Sequence, residues 1–481
     1  MSRDDATQID HQDLLNKLRP IAQEHLLAFW EQLDAADQHQ LAIQVEQIDP
    51  DLFSDLRNEF QQQQSGGLDR SQWSDRAARA LPPPAMRLDG SGVSFSRQAA
   101  RAKGEEILRA GQVGMILVAG GLGTRLGFDQ PKGLLPLAPL SNRTLFQILL
   151  ENLLAVRRRF GVSIPLYVMT SPATDQVTRE YLNEHRWFGL PAEDCRIFCQ
   201  ATMWAVDDRF ERILLESPDS LFLGPDGHGG MLAAFAKSGC LVDAQRRGVR
   251  HIFYGQIDNP LLQVCDELFL GSHVLAHSDM TTQVVPKRHP LERVGNVVSI
   301  DGKVQVIEYS DLSEEFAKQT NPDGGLKLWA GNLAVHAFAL DFLARSAADK
   351  RALPFHFARK TVSCLNPRQS STEQENVKAI RFERFIFDLL PNAQNALVVE
   401  ADPADAFAPV KNSDSEATDN SRLAKAAMMA QARRHLRAAG IQIADDIPVE
   451  INPLWASTVQ EIQKRLAPGT IIRESTYFSD S

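Results

Sequence analysis

Between residues 113 and 400, short apolar runs alternate with stretches of helical periodicity, and this alternation limits the possible folds more than any other feature. The runs read "GMILVAG", "PLYVMT", "CRIFCQ", "HIFYGQID", "TTQVVPK", "NVVSI" and "VQVIEY". Runs of this length are typical of strands, and strands that alternate with helices form a sheet that helices cover on both faces. The sequence therefore predicts an α/β fold for this region.

The preceding segment is predicted to be helical. In "LLNKLRPIAQEHLLAFWEQL" (14–33), apolar residues recur every three or four positions, which is the spacing of one helix face. Two stretches, "QQQQSGG" (61–67) and "LPPPA" (81–85), are expected to be surface connectors because of their glutamine, glycine and proline content.

The last part of the chain shows a third pattern. After the polar loop "KNSDSEATDNS" (411–421), we predict a helix over 422–439, a short strand at "VEI" and a final helix near 457–466. The prediction is thus a helical N-terminal region, a central α/β domain and a small C-terminal domain, which span residues 1–105, 106–405 and 406–481.

The charge balance excludes two classes of partner. The 481-residue chain carries a formal net charge of -10 at pH 7, so its surface as a whole attracts neither nucleic acid nor an anionic membrane. The start, "MSRDDATQID", lacks the apolar core of a signal peptide, and no run of 18 apolar residues occurs. The five cysteines contain no CxxC pair. We expect a soluble protein of the cytoplasm with reduced thiols.

A glycine-rich turn follows the first apolar run of the central region. In "LVAGGLGTRLGFDQPKGLLPL" (117–137), Gly120, Gly121 and Gly123 lack side chains, so backbone N–H groups can approach an anion or the edge of a base. Arg125 and Lys132 follow closely, and two fixed cations suit the charge of a triphosphate. A tight structural turn beside two surface cations is the alternative.

Two common glycine motifs do not fit this turn. A dinucleotide-binding GxGxxG that starts at Gly121 would need a third glycine where Leu126 stands. No GxxxxGK[ST] can be written here either. The broken glycine pattern argues against an NAD-dependent oxidoreductase.

Asp258, in "IDNPL", ends another apolar run. Open α/β sheets bind their ligands at the carboxyl ends of strands, and a single carboxylate there is a natural Mg²⁺ ligand shared with phosphate oxygens. The residues alone leave open whether Asp258 binds a metal or is an ordinary carboxylate at a strand end.

The segment "AGGLGTRLGFDQPKG" closely resembles the nucleotide loop of the sugar-1-phosphate uridylyltransferases. The match is to the UDP-N-acetylhexosamine pyrophosphorylase branch of the UDP-glucose pyrophosphorylase family, whose loop reads roughly AGGxGTRLGxxxPKG. Further similar blocks follow in the family's order and span most of 100–455: "FGL", "PDGHGG", "IDNPL", "VIEYSD", "AGNLAVH", "RFIFDLL" and "FAPVKNSDS". The resemblance implies a Rossmann-like, GT-A-like nucleotidyltransferase domain with a mixed sheet covered by helices.

The resemblance also implies substrates, Mg²⁺ as cofactor with Asp258 as its ligand, and residue roles. The substrates are UTP and a sugar 1-phosphate, which react to a UDP-sugar and pyrophosphate. By position in the family motifs, Arg125 and Lys132 contact the β- and γ-phosphates, and Lys411 in "PVKN" contacts the incoming sugar phosphate. On sequence alone, Lys411 would be an ordinary surface lysine. The implied nucleotide-binding residues are Gly120, Gly121, Gly123, Thr124, Gln200 and Gly227, of which Gly121, Gln200 and Gly227 read the uracil.

A second set of residues resembles the family's sugar site, namely His228, Gly295, Glu308, Asn332, Phe385 and Phe387. Glu308 is expected within a strand. Phe385 and Phe387 alternate along "RFIFD", so on a strand both would point the same way, either into a sugar pocket or into an ordinary core. His228 departs from the acetylhexosamine branch, which usually has asparagine in this loop.

The main functional prediction is a uridylyltransferase for N-acetylglucosamine 1-phosphate. The histidine in "GHG" is closer to the glucose and broad-specificity branches, which keeps a glucose-1-phosphate or a broad-specificity UDP-sugar pyrophosphorylase as the alternative. A catalytically silent nucleotide-sugar-binding protein is an alternative of another class. The retained set of cations argues against it, because a protein that only binds could lose groups needed for transfer.

Overall fold

The computed structural model describes residues 10–65, 75–366 and 372–480, and within them the chain forms two compact units. The smaller unit comprises the described residues of 1–75, 201–230 and 353–385. The larger unit comprises those of 76–200, 231–352 and 386–481. No helix among the described residues is long and apolar enough to cross a bilayer.

One mixed sheet forms the centre of the larger unit. Its strands follow in the spatial order Ala85–Met86, Leu397–Glu400, Met280–Pro286, Ala330–Ala339, His251–Gln256, Val113–Val118, Leu166–Thr170 and Cys195–Cys199. All neighbours along this path are parallel, except that Ala330–Ala339 runs antiparallel to both of its neighbours. The hairpin of Asn296–Ile300 and Lys303–Ile307 joins the sheet at Gly331. The predicted α/β fold with a mixed sheet is confirmed.

Helices accompany this sheet, and local sequence fixes their ends. Helix Leu145–Phe160 begins after Thr144, whose hydroxyl accepts a hydrogen bond from the Gln147 N–H, and ends at Gly161 with a φ of 67°. The α-helices of the larger unit are Arg97–Arg109, Leu145–Phe160, Asp175–Glu184, Met231–Lys237, Cys240–Arg246, Glu267–Leu275, Glu314–Ala317, Leu340–Ala348, Pro403–Ala406, Ser421–Ala438 and Val459–Arg465. Its 3-10 helices are Thr124–Leu126, Lys132–Leu134, Arg186–Gly189, Ala192–Asp194 and Ile386–Asn392.

Helices Arg97–Arg109 and Glu267–Leu275 touch backbone to backbone. A Cβ added at Gly104 would lie 1.8 Å from the Glu267 carbonyl oxygen, and one at Gly271 would lie 1.7 Å from the Ala100 carbonyl oxygen. Both positions therefore require glycine, and the contact fixes the start of the helix that follows the "IDNPL" segment.

The C-terminal part of the larger unit has a small core of its own. Helix Ser421–Ala438, strand Val449–Ile451 and helix Val459–Arg465 agree with the predicted elements. Two short parallel pairs complete it, formed by Gln442–Ile443 with Ile471–Ile472 and by Val449–Ile451 with Thr476–Phe478.

Glu450, on one of these strands, takes part in a buried charge network. Its carboxylate accepts hydrogen bonds from the Arg143 guanidinium at 2.7 Å and from the Ser141 hydroxyl at 2.6 Å. Arg143 also pairs with Glu151 at 2.5 Å. All three charged side chains are at most 8% exposed, so the network ties the C-terminal part to helix Leu145–Phe160.

The smaller unit combines helices with a three-stranded sheet. The long antiparallel pair His356–Leu365 and Gln374–Glu383 carries Val206–Asp207 at its edge. Its further strands are Thr202–Trp204 with Leu223–Pro225, and Leu215–Ser217 with Ser220–Leu221. Phe53 from the N-terminal helices packs against Trp204 with ring centroids 5.3 Å apart, within a shared apolar core.

The helical prediction for the N-terminal segment is confirmed, although the helices are short. The α-helices are His11–Leu18, Ala35–Glu46 and Pro50–Ser65, with 3-10 turns at Arg19–Ile21, Glu24–Leu27 and Trp30–Gln32. Pro20 and the left-handed Ala22 (φ 56°) end the first helix.

The connector prediction for "QQQQSGG" is wrong for residues 61–65, which continue the third helix, because glutamine is a good helix former. Residues 66 and 67 lie outside the described residues.

Candidate active site

Four parallel strands of the larger unit end side by side. Val118 is paired with Gln256 on one side and with Met169 on the other, and Thr170 is paired with Cys199. The residues that follow these strand ends therefore share one edge of the sheet: Gly120, Gly121, Ser171, Gln200 and Asp258. The strand order reverses at Val113–Val118, and open α/β sheets bind ligands at such a point.

The glycine turn is closed against this edge. The Ser171 hydroxyl donates a 2.7 Å hydrogen bond to the Gly120 carbonyl, and the Lys132 N–H donates a 2.9 Å hydrogen bond to the Gly121 carbonyl. A Cβ at Gly120 would lie 3.0 Å from Oε1 of the buried Gln200, whereas a Cβ at Gly121 would meet nothing within 4 Å. Gly120 thus packs against Gln200, and Gly121 presents an open face.

The rest of the turn forms a tight hairpin at Gly123 and then exposes Thr124 and Arg125. A Cβ at Gly123 would lie 2.6 Å from the Phe128 carbonyl oxygen, so this glycine permits the hairpin of Leu122–Gly123 with Phe128–Pro131. Thr124 and Arg125 lie in the following 3-10 turn and are exposed. Arg125 makes no ion pair with any other described residue, so its guanidinium is available to a ligand.

Lys132 and Asp258 approach each other at this edge. Nζ of Lys132 lies 3.7 Å from Oδ2 of Asp258, and the two side chains are 17% and 14% exposed. The sequence placed them 126 positions apart, and the fold brings them together across the ends of neighbouring parallel strands. A cation and a carboxylate in a partly dehydrated cleft attract each other and a charged ligand more strongly than they would in water.

The segment that carries Lys411 is tied to the same strand end. The Val410 N–H donates a 2.8 Å hydrogen bond to the Asp258 carbonyl. The buried Asn259 donates from its amide to the Ala406 carbonyl at 2.7 Å and accepts from the Ala408 N–H at 3.1 Å. Sequence analysis did not single out Asn259, although it lies within the "IDNPL" block.

Asp419 is a further acidic residue that sequence analysis missed. Its carbonyl accepts a hydrogen bond from the Lys411 N–H at 2.7 Å. Burial raises the pKa of the Asp419 carboxyl, with nearby Lys411 and Arg288 lowering it and Asp258 raising it again. These charges therefore lie close enough to influence one another.

Three residues of the predicted sugar site lie together in the larger unit. The Gly295 carbonyl accepts a 2.8 Å hydrogen bond from the Asn332 N–H, and a Cβ at Gly295 would lie 3.0 Å from Oε1 of Glu308. The expectation that Glu308 lies within a strand is wrong, because the strand ends at Ile307 and Glu308 follows it. The direction of its side chain is therefore not set by the alternation of strand faces.

Gly227, His228 and Phe385 belong to the smaller unit. The loop with the first two folds around the backbone of Arg384, whose carbonyl accepts a hydrogen bond from the Gly229 N–H at 2.8 Å. A Cβ at Gly227, which has a φ of 81°, would lie 2.4 Å from the same carbonyl oxygen. The rings of His228 and Phe385 stack with centroids 5.4 Å apart.

The prediction that Phe385 and Phe387 share one face of a strand is wrong. The strand ends at Glu383, because the Arg384 backbone bonds to Asp226 and Gly229 instead of continuing the hairpin. Phe385 contacts His356, with ring centroids 4.6 Å apart. Phe387 is 5% exposed, lies in the 3-10 helix Ile386–Asn392 and belongs to the larger unit.

The donor set at this edge suits a metal that arrives with phosphate. The described part of the chain contains no group of three or more His, Cys, Asp or Glu side chains able to hold a metal ion. Asp258 offers a single carboxylate beside Lys132. Mg²⁺ is commonly bound by one or two carboxylates together with substrate phosphates, so the residues fit Mg²⁺ in that form only.

A glycine turn, a lysine and a carboxylate at the carboxyl edge of a mostly parallel sheet are compatible with a nucleotide site, and the family match makes the protein a nucleotidyltransferase. The family described as UTP--glucose-1-phosphate uridylyltransferase matches residues 52–467. The chain belongs to this family, so the resemblance seen in the sequence and the predicted enzyme class are confirmed.

Similar proteins agree with this assignment. The chain is 32% identical over 443 residues to the UDP-N-acetylglucosamine pyrophosphorylase of Saccharomyces cerevisiae, a match that covers 89% of this chain and 92% of the yeast protein. It is 32% identical over 445 residues to UDP-N-acetylhexosamine pyrophosphorylase-like protein 1 of Homo sapiens, with coverage of 90% and 87%. The solved UDP-N-acetylglucosamine pyrophosphorylase of Trypanosoma brucei shares the fold, with a TM-score of 0.80, 24% identity and coverage of 96% and 98%.

Proposed function

We propose that this chain transfers the uridylyl group of UTP to N-acetylglucosamine 1-phosphate and releases pyrophosphate. The observation that carries the proposal is the approach of Lys132 and Asp258 at 3.7 Å, beside the segment tethered at Val410. The names of the yeast and trypanosomal relatives support the choice of sugar. A cytoplasmic location stays a prediction.

The chemistry needs neutralisation of charge more than a nucleophilic side chain. A phosphate oxygen of the sugar 1-phosphate bonds to the α-phosphorus of UTP while the bond from that phosphorus to the bridging oxygen breaks, and pyrophosphate leaves. Two polyanions must therefore approach each other. We assign Arg125 and Lys132 to the β- and γ-phosphates and Lys411 to the sugar phosphate. Asp258 would hold Mg²⁺, which supplies positive charge to phosphate oxygens when bound.

Recognition of the base is assigned to backbone and amide groups. The open face at Gly121 leaves room for a ring, and the Gln200 side chain lies directly behind Gly120. Gly123 and Thr124 complete the proposed nucleotide site of the larger unit, whereas Gly227 of the smaller unit is assigned to the nucleotide only by its position in the family motif. The proposed sugar contacts are His228, Gly295, Glu308, Asn332, Phe385 and Phe387.

The test is pyrophosphate release from UTP in the presence of Mg²⁺ and a panel of sugar 1-phosphates. We expect the highest kcat/KM with N-acetylglucosamine 1-phosphate. A higher value with glucose 1-phosphate would replace the proposed sugar and would agree with the histidine at position 228. Absence of pyrophosphate release with every sugar would instead favour the silent nucleotide-sugar-binding protein.

A further inference from the structure

A second concave site lies in the larger unit and shares no residue with the candidate active site. It is a cavity of about 320 Å³ between the end of helix Leu145–Phe160 and helix Val459–Arg465. Its size is that of a small-molecule pocket. The lining residues used below are Arg158, Arg159, Trp455, Glu461, Lys464 and Arg465.

The lining carries more cations than carboxylates on a protein whose net charge is -10. Four of its side chains are cationic and Glu461 is the single carboxylate. Arg158 and Lys464 are exposed, and neither makes an ion pair with another described residue. Like charges grouped around one cavity repel one another, so a bound anion would be favoured there.

The neighbouring charges are held in place. Arg159 pairs with Glu267 at 2.9 Å, and Arg465 pairs with Asp480 at 2.6 Å. The Glu461 carboxylate is occupied by hydrogen bonds from the Ser457 N–H at 2.7 Å and from its hydroxyl at 3.0 Å. One oxygen of the Glu461 carboxylate is therefore bonded to the protein, and two of the four cations are paired with carboxylates outside the lining, which leaves Arg158 and Lys464 as the cations available to a ligand.

Trp455 provides the apolar part of the wall. Its ring lies against Phe478, with centroids 4.8 Å apart, and the Arg465 guanidinium lies 5.3 Å from its centroid. The cavity therefore combines guanidinium and ammonium donors with one rigid aromatic edge. Guanidinium groups bind phosphate oxygens in pairs, and ammonium groups add a point charge.

We propose that this basic cavity binds a small molecule that carries a phosphate group. The proposal is independent of the uridylyltransferase reaction, because it concerns none of the residues assigned to UTP or the sugar. A phosphate is favoured over a carboxylate because its two charges and three free oxygens can engage Arg158 and Lys464 together.

The test is isothermal titration of the full chain with two probes, inorganic phosphate and ribose 5-phosphate. The variants are Arg158→Ala/Lys464→Ala and, as a control with the same loss of charge, Lys303→Ala/Lys350→Ala, whose lysines are exposed elsewhere. We expect the first variant to bind the probe at least about tenfold more weakly than wild type, because two charge-assisted contacts are lost. The control should bind as wild type does.

The two probes distinguish the source of the phosphate. Binding of both indicates a site for the phosphate group itself, and binding of ribose 5-phosphate alone indicates a site for an organic ester; either result supports the proposal. It is overturned if neither probe binds wild type, or if Arg158→Ala/Lys464→Ala binds as wild type does. Pyrophosphate release by this variant should equal that of wild type, so failure here leaves the proposed function untouched.

Discussion

The ammonium group of Lys132 and the carboxylate of Asp258 face each other at 3.7 Å, a distance longer than a hydrogen bond. Each group is mostly shielded from water, yet at this separation the two groups do not form a hydrogen bond with each other. Both can therefore accept an additional charged partner in the gap between them, as expected for a site that holds phosphate and a divalent cation together.

The first prediction concerns Lys132→Ala. We expect kcat to fall by about 100-fold, which corresponds to about 3 kcal/mol, because a cation that acts mainly in the transition state is removed. The melting temperature should change little, since the 3.7 Å pair with Asp258 contributes little to folding. Steady-state kinetics and thermal unfolding measure the two effects, with Lys303→Ala as control. Unchanged turnover would contradict the assignment.

Asp258→Asn should change the requirement for Mg²⁺. The amide keeps the size of the side chain and the backbone bond to Val410, but it loses the charge that a divalent cation needs. We expect half-maximal activity at a Mg²⁺ concentration at least about tenfold higher than in wild type, since one charged ligand is lost. Titration of activity with MgCl₂ measures this concentration. An identical Mg²⁺ dependence would remove Asp258 from the metal site.

Asn259→Ala tests whether the tether positions Lys411. The substitution leaves the Ala406 carbonyl and the Ala408 N–H without their partner, at a cost of about 1–3 kcal/mol in the free energy of unfolding. Because the segment before Lys411 is loosened, kcat should fall as well. Lys411→Ala should lower kcat without the loss of stability. Normal kcat in Asn259→Ala would show that the tether serves stability alone.

Gly120→Ala and Gly121→Ala form a matched pair. The methyl group at position 120 would meet Gln200 at 3.0 Å and the Ser171 nitrogen at 3.2 Å, so we expect a loss of about 1 kcal/mol in stability. The methyl group at position 121 meets no protein atom within 4 Å, so stability should be unchanged while KM for UTP rises. Chemical unfolding and UTP titrations distinguish the two. If both variants changed KM and stability to the same extent, the conclusion that Gly121 faces open space would be wrong.

Glu450→Gln should reveal a pH-dependent contribution to stability. Burial raises the pKa of the Glu450 carboxyl, but hydrogen bonds from Ser141 and Arg143 outweigh it and hold the pKa below the ordinary value of 4.5. The ionised carboxylate therefore stabilises the fold fully above pH 4.5, and this contribution is lost as the pH falls through the lowered pKa. At pH 7 we expect the variant to be roughly 3 kcal/mol less stable.

The measurement for Glu450→Gln is urea unfolding at several pH values from 7 down to 4. The difference in the free energy of unfolding between wild type and variant should begin to shrink below pH 4.5. A difference that stays constant over the whole range would mean that packing, and not charge, accounts for the effect.

Much of the central sheet could be predicted because its information is local. Seven strands coincide with apolar runs read from the sequence, namely Val113–Val118, Leu166–Thr170, Cys195–Cys199, His251–Gln256, Met280–Pro286, Asn296–Ile300 and Lys303–Ile307. The position of Asp258 was predictable for the same reason, since it lies two residues after the end of a strand. Residues whose assigned roles depend on contacts between distant parts of the chain, such as Lys411, were identified only through the family motifs.

The errors arose where distant contacts override local pattern. The alternation of Phe385 and Phe387 is compatible with a strand, but the hydrogen bonds of the Arg384 backbone to the loop at 226–229 end that strand first. Asn259 was missed because its partners, Ala406 and Ala408, lie almost 150 positions away. Neither contact leaves a signal in the spacing of nearby residues.

The glycine contact between helices Arg97–Arg109 and Glu267–Leu275 has a consequence for how sequences of this kind can vary. Neither Gly104 nor Gly271 has space for a single methyl group, because carbonyl oxygens of the opposite helix already occupy it. A saturation library at these two positions should therefore return glycine alone among folded clones. Two residues that are assigned to no substrate would then be as intolerant of replacement as the lysines that we assign to the phosphates.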